Sequence, residues 1–84
     1  MSEKAHVTIY TRPGCHLCDE AKRVILREAL SDQFVLEEVN IDCDPELKER
    51  YATEIPVIFI NGEEAFRHRL TAEEFRERLE VSQR

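Results

Sequence analysis

No stretch of the 84-residue sequence approaches the roughly 18 consecutive apolar residues that a membrane-spanning helix requires. Nor do residues 1–6 contain the apolar core of a signal peptide. Cysteine is scarce as well: three residues are too few, and an odd number, for a small secreted domain held together by disulfides. We therefore expect a protein of the reducing cytoplasm that does not associate with membranes.

The sequence also lacks a basic excess. It has 12 Lys and Arg residues against 18 Asp and Glu residues, for a net charge of −6 at pH 7. The acidic excess is concentrated in residues 32–64, which carry ten acidic and two basic side chains. We expect this region to form a solvated acidic surface, and we expect no nucleic-acid binding, because that function needs a basic footprint.

The sequence contains no linker, repeat or low-complexity tract, so we predict one domain over residues 1–84. β-branched and aromatic residues over 6–10 predict a first strand, which a Pro-Gly pair ends. From Leu17 to Ala29 apolar residues recur at the spacing of one helix face, and acidic residues occupy its first turn. Residues 34–41 predict a second strand, whose glutamates suit the edge of a sheet.

Two helix starts and one turn organise the second half of the chain. The Asp-Pro pair at 44–45 combines an N-cap carboxylate with a proline in the first turn of a short helix. Residues 55–60 are the most apolar segment and predict a strand buried on both faces. The Asn-Gly pair that follows predicts a two-residue hairpin turn into a strand over 63–67. Thr71 and Glu74 form a capping box, which predicts the start of a last helix.

This order of elements, βαβαββα, predicts an α/β fold. The first strand–helix–strand unit is expected to make a right-handed parallel crossover, and the hairpin is expected to add an antiparallel pair. The result is a four-stranded mixed sheet with three helices, in which Phe75 and Leu79 of the last helix face the core.

The Cys-x-x-Cys pair, Cys15 and Cys18, falls where the first strand turns into the first helix. Unpaired N–H groups and the dipole at a helix N-terminus stabilise a thiolate, and Arg12 and His16 lie nearby in sequence. The spacing places Cys18 close enough to Cys15 for a disulfide. Such a pair suits thiol–disulfide exchange, in which one sulfur attacks and the other resolves the mixed disulfide.

The cysteine pair has two other interpretations. An incidental pair is disfavoured by the strand before it and the helix after it. A zinc site needs four ligands, and the sequence has no second Cys-x-x-Cys pair and no His pair at ligand spacing. Cys43 and His68 would have to converge on Cys15 and Cys18. The redox interpretation is therefore preferred, and no metal site is predicted.

Three short motifs stand out: Tyr-Thr-Arg-Pro-Gly-Cys-His-Leu-Cys at 10–18, Ile-Pro-Val at 55–57 and Asn-Gly at 61–62. Together they resemble the glutaredoxin branch of the thioredoxin superfamily, and more narrowly the short bacterial glutaredoxin-like family proteins. The resemblance extends over about residues 7–79 and implies the thioredoxin-like (glutaredoxin-type) fold. It also implies roles: Cys15 as nucleophile and Cys18 as resolving thiol. Pro56 would be a cis-proline beside the disulfide, and Ile55 would offer backbone hydrogen bonds to an extended substrate.

Two departures from the family concern substrate binding. Where the family has a Gly-Gly pair and an acidic residue for the γ-glutamyl carboxylate of glutathione, residues 66–71 contain no glycine, so Arg67 or Arg69 would have to supply positive charge. Arg12 matches a basic residue of the family that would bind the glycine carboxylate. His16 replaces a common proline; it either stabilises the neighbouring thiolate when protonated or is simply solvated. The candidate substrate-binding residues are thus Arg12, His16, Ile55, Pro56 and Arg67.

We therefore expect a monomeric, cytoplasmic dithiol oxidoreductase that reduces protein disulfides or glutathione mixed disulfides. We expect no bound cofactor, with glutathione as the candidate co-substrate. Two alternatives stay open: a module of this fold that binds a metal or iron–sulfur cluster without redox turnover, and a redox-inert scaffold for extended peptides. Cys43 lies between Asp42 and Asp44, whose carboxylates disfavour its thiolate, so a structural or incidental role is expected rather than regulatory oxidation.

Overall fold

The computed structural model describes residues 5–27 and 34–82. Their elements are β1 (Ala5–Thr11), α1 (His16–Arg27), β2 (Phe34–Asn40), a 3₁₀ turn (Ile41–Cys43), α2 (Pro45–Tyr51), β3 (Val57–Ile60), β4 (Glu63–Arg67) and α3 (Ala72–Ser82). The predicted order βαβαββα is therefore confirmed. Ala29, the predicted end of the first helix, lies outside the described residues. No helix within the described ranges is long and apolar enough to cross a membrane.

The four strands form one mixed sheet in the order β2-β1-β3-β4. β1 and β2 run parallel, whereas β3 is antiparallel to both β1 and β4. This confirms the parallel crossover pair, the antiparallel hairpin and the edge position of β2. Asn61 and Gly62 both have positive φ angles, +52° and +85°, as the two-residue hairpin turn requires.

β1 is one residue longer at each end than the sequence predicts, and α1 begins one residue earlier. Two further boundaries differ for a local reason. β3 begins at Val57 rather than at residue 55, because Pro56 has no N–H to donate to a neighbouring strand. β2 ends at Asn40, one residue early, because the Asn40 side chain accepts a hydrogen bond from the Asp42 N–H at 2.9 Å and caps the 3₁₀ turn.

Apolar side chains form two buried clusters on opposite faces of the sheet, since neighbouring residues of β3 belong to different clusters. The larger cluster joins the sheet to α1 and α3, and Phe75 and Leu79 are buried in it as predicted. The smaller cluster contains Cys18 together with Ile41, Tyr51, Ile55 and Val57. Cys18 is therefore buried in the core on the face of the sheet that α2 covers.

Candidate active site

Cys15 and Cys18 form a disulfide at the start of α1. Their Cα atoms are 5.2 Å apart, within the range that a disulfide spans without backbone movement. Gly14, with φ at +79°, lets the chain turn sharply between β1 and α1, because that left-handed conformation costs glycine little. The turn places Cys15 directly before the first residue of the helix, as the sequence predicts.

Cys15 acts as the N-cap of α1. Its carbonyl accepts a hydrogen bond from the Asp19 N–H at 3.1 Å, and its sulfur accepts one from the Cys18 N–H at 3.2 Å. The sulfur thus occupies the position where a capping side chain satisfies a free N–H of the first turn. After reduction, the same N–H and the positive end of the helix dipole would stabilise a thiolate on Cys15.

The two sulfurs differ in accessibility. Cys15 is partly exposed, whereas Cys18 is only 2% exposed and packs against Ile41, Tyr51 and Ile55. An external disulfide can approach Cys15 from solvent, whereas burial shields Cys18 from it. This difference suits an attacking role for Cys15 and a resolving role for Cys18.

The cis peptide bond expected at Pro56 is present in the structure. The Pro56 carbonyl accepts a hydrogen bond from the His68 N–H at 2.8 Å, and the Ile55 N–H donates to the Tyr51 carbonyl at 3.1 Å. Ile55 and Pro56, which we call the proline loop, are thus joined to the segment after β4 and to the end of α2. An extended substrate would therefore compete with the Tyr51 carbonyl for the Ile55 N–H.

The candidate cation Arg12 is paired. Its Nη2 lies 3.0 Å from Asp42 Oδ1, and about a third of each side chain is exposed. His16 is 80% exposed, and its Nε2 lies 3.3 Å from Glu20 Oε1, one helical turn away. Because each group faces a carboxylate, neither adds an unbalanced positive charge beside Cys15.

Arg67 is held by two carboxylates. Its Nε and Nη2 form a two-pronged contact with Glu64, and its Nη1 lies 2.9 Å from Glu54 Oε1. The hydrogen bonds from Arg67 lower the pKa of both glutamates, and those of Glu64 and Glu54 raise the pKa of Arg67. A glutathione carboxylate would have to displace one of these partners to bind Arg67.

Sequence reasoning missed the role of Glu54. Glu54 falls within the acidic region of residues 32–64, but it contacts Arg67 and also lies 3.8 Å from His68 Nε2. Its position directly before the Ile-Pro pair is a local signal, because a side chain there is held close to the proline loop. His68 itself has a φ of +68°, in the left-handed region that favours glycine.

The remaining candidates for metal binding do not converge. Cys43 is a free, exposed thiol. Among residues 5–27 and 34–82, no three His, Cys, Asp or Glu side chains lie close enough together to hold a metal ion. Within these residues, Cys43 and His68 therefore do not join Cys15 and Cys18 in a metal site.

Comparison with known proteins identifies relatives over nearly the whole chain. Residues 6–80 match the model of the family described as Glutaredoxin-like domain (DUF836). A glutaredoxin-like protein of Dictyostelium discoideum, described as a homolog of YDR286C, is 31% identical over 71 residues. That match covers 77% of this chain and 66% of the relative, so the chain spans about two thirds of the relative's length.

Solved structures show the same fold. An X-ray structure of protein XcR50 from X. campestris is 29% identical with a TM-score of 0.77, covering 89% of this chain and 96% of that chain. The solution structure of protein Ne2328 from Nitrosomonas europaea is 28% identical with a TM-score of 0.77, covering 93% and 94%. A mutant thioredoxin from Halobacterium salinarum, at 15% identity and a TM-score of 0.68 over 98% and 77%, shares the fold alone.

Proposed function

We propose, since the chain belongs to the glutaredoxin-like domain family of the thioredoxin superfamily, that it is a dithiol thiol–disulfide oxidoreductase acting through Cys15 and Cys18. The observation that carries the proposal is the pairing of a reachable sulfur with a buried one at the start of α1. The reachable sulfur already accepts a helix N–H, which is the arrangement that stabilises an attacking thiolate.

The proposed cycle starts from the reduced dithiol. The Cys15 thiolate attacks one sulfur of the substrate disulfide; that S–S bond breaks, and the departing substrate thiolate takes a proton. The Cys18 thiol then loses its proton and attacks the Cys15 sulfur, which releases the second substrate thiol and forms the Cys15–Cys18 disulfide. Two electrons pass to the substrate. Two glutathione molecules or a protein dithiol would reduce the enzyme again.

Protein disulfides are the proposed main substrates, with glutathione as co-substrate rather than tightly bound ligand. Arg12 and Arg67, the candidate partners of the glutathione carboxylates, already face Asp42, Glu54 and Glu64. The N-terminus of α3 is also occupied, because the N–H groups of Thr71 and Glu74 already donate to the Glu74 carboxylate and the Thr71 hydroxyl. These contacts oppose strong binding of a small anion. His16, Ile55 and Pro56 are proposed to contact the substrate beside Cys15.

The proposed setting is a cytoplasmic monomer without a resident cofactor. A disulfide reductase needs a supply of reduced thiols, which the cytoplasm maintains. The proposed partners are protein disulfides and glutathione, with no role at a membrane or on nucleic acid.

A turnover assay with a protein disulfide substrate and a thiol reductant tests the proposal. We expect wild type to reduce the substrate, Cys15→Ser to lose all turnover, and Cys43→Ser, the matched control, to keep the wild-type rate. Full turnover by Cys15→Ser would contradict the proposal. So would anaerobically purified wild type that holds a stoichiometric metal or cluster through the cysteines and reduces nothing, which is the outcome the metal-binding alternative predicts.

A further inference from the structure

A groove of about 330 Å³ lies along α1, with the segment after β4 as its second wall, and neither cysteine lines it. Leu17, which stands between the two cysteines in sequence, lies at its start, and Val24 and the buried Leu70 continue its apolar floor. Three arginines line it as well: Arg23, Arg27 and Arg69. We call this surface the α1 groove.

The arginines of the α1 groove differ from the other cations near the site. All three are exposed, and within residues 5–27 and 34–82 none forms an ion pair. By contrast, Arg12 and Arg67 face carboxylates, and Lys22 lies 2.6 Å from Glu38. The positive charge that the site offers to a partner is therefore concentrated in this groove.

The remaining titratable groups of the α1 groove cancel only part of that charge. Glu20 is its one acidic lining residue, set against three arginines, and its Oε1 lies 3.3 Å from His16 Nε2. His68 also lines the groove, 3.8 Å from Glu54, which is itself bound to Arg67. Arg23 and Arg27 lie one helical turn apart, so their charges act on the same stretch of a bound chain.

We propose that the α1 groove binds an acidic segment of the protein substrate that also carries an apolar side chain. This proposal rests on the proposed function and names its substrate class. Charge complementarity selects the acidic segment, while the floor of Leu17, Val24 and Leu70 selects an apolar residue within it. The net charge of −6 repels extended polyanions, so a short peptide segment suits the groove better than nucleic acid.

The length of the groove predicts where the acidic residues lie in the substrate. From Leu17 to Arg27 the helix rises by about 15 Å, at about 1.5 Å per residue. An extended peptide covers that distance in about four or five residues. A substrate whose cysteine sits at Cys15 is therefore expected to carry its acidic residues within about five positions of that cysteine on the side that faces α1.

The test uses two disulfide peptides with the same cysteine environment. One carries Asp, Leu and Glu four to five residues from the cysteine (about the length of the groove); in the other, Asn and Gln replace the acids. The proteins are wild type, the groove variant Arg23→Gln/Arg27→Gln, and the control Lys48→Gln/Arg50→Gln. The control removes the same charge from α2, outside the groove.

For wild type at low ionic strength we expect kcat/KM for the acidic peptide to exceed that for the neutral peptide by about fivefold, because exposed ion pairs are individually weak and two or three act together. The preference should appear in KM and should shrink as salt is added. The groove variant should bring the ratio of the two values close to one. The α2 control should keep the wild-type ratio.

Each other outcome overturns either the groove as a substrate site or the proposed oxidoreductase function. A wild-type ratio near one, or equal losses in the groove variant and the α2 control, overturns the groove as a substrate site. A concentration-dependent dimer that the groove variant abolishes would mean that a second copy covers the groove. If wild type reduces neither peptide, the proposed oxidoreductase function itself fails.

Discussion

The backbone N–H of Cys18 points at the sulfur of Cys15, 3.2 Å away, within the first turn of α1. The residue that resolves the mixed disulfide in our proposal therefore also supplies the hydrogen bond that favours a charged sulfur on the residue that attacks. Because this bond comes from the backbone, it persists when the Cys18 side chain is changed. Nucleophile and resolving thiol can thus be studied separately by substitution.

The first prediction concerns the acidity of Cys15. The N–H contact and the helix dipole should lower the pKa of its thiol below the ordinary value of about 8.5. Iodoacetamide labelling of the reduced protein across a pH series, located by mass spectrometry, measures this pKa. Cys43, a free and exposed thiol, is labelled in the same samples and shows that the reagent reacts across the whole pH series. A labelling midpoint for Cys15 at or above about 8.5 would rule out thiolate stabilisation by the helix.

The second prediction concerns Arg67 and acid stability. Hydrogen bonds from Arg67 hold the pKa of Glu54 and Glu64 below the ordinary value of about 4.5. Both carboxylates therefore contribute fully to stability above that value, and the contribution is lost as the pH falls through their lowered folded-state values. Arg67→Gln should be less stable than wild type at neutral pH, with the gap closing in acid.

Urea unfolding of both proteins from neutral pH to well below the ordinary glutamate pKa checks this. A gap in the free energy of unfolding that stays constant with pH would show that Arg67 stabilises the fold by packing rather than by its charge.

The third prediction concerns the backbone at His68, whose φ is +68°. A β-branched residue is strained in this conformation, so His68→Val should lower the free energy of unfolding by about 1–2 kcal/mol. His68→Gly adopts the same φ without strain but gains entropy when unfolded, so its change should stay within about 1 kcal/mol. Denaturant unfolding of the two variants distinguishes them. Equal losses would mean that the His68 side chain, not the backbone, matters for stability.

The fourth prediction concerns the capping box of α3. The Glu74 N–H donates to Thr71 Oγ1, and the Thr71 N–H donates to Glu74 Oε1, each at 3.1 Å. Thr71→Ala removes the capping oxygen and should cost about 1 kcal/mol of unfolding free energy. Thr71→Ser keeps that oxygen and should unfold close to wild type in the same thermal or urea experiment. A serine variant as unstable as the alanine variant would show that the threonine methyl group, not the cap, stabilises this end of α3.

Features that depend on neighbours in sequence were predictable. The cysteine pair at the start of α1, the Asn61-Gly62 turn and the Thr71–Glu74 box are each set within a few residues, and the structure shows each of them. The cis bond before Pro56 was expected from the family resemblance alone, since X–Pro propensity favours the trans form.

Features that depend on contacts across the fold were not predictable from the sequence. Arg67 and Glu54 form a pair although they are thirteen residues apart in the sequence. Arg67 ends β4 and Glu54 lies in the loop before β3, and only the folded packing of that loop brings them together. The α1 groove likewise forms between α1 and residues 68–70, which lie far apart in the sequence. Charge patterning alone gave no sign of either arrangement, because it does not say which charges meet.

The most direct test of the account is the site of the trapped intermediate. Cys18→Ser removes the resolving thiol, so reaction of the reduced variant with a protein disulfide should stop at a mixed disulfide between the substrate and Cys15. Peptide mapping by mass spectrometry locates that bond. We predict that the substrate cysteine is found on Cys15. Its attachment to Cys43, or the absence of any mixed disulfide, would contradict the assignment of Cys15 as the attacking sulfur.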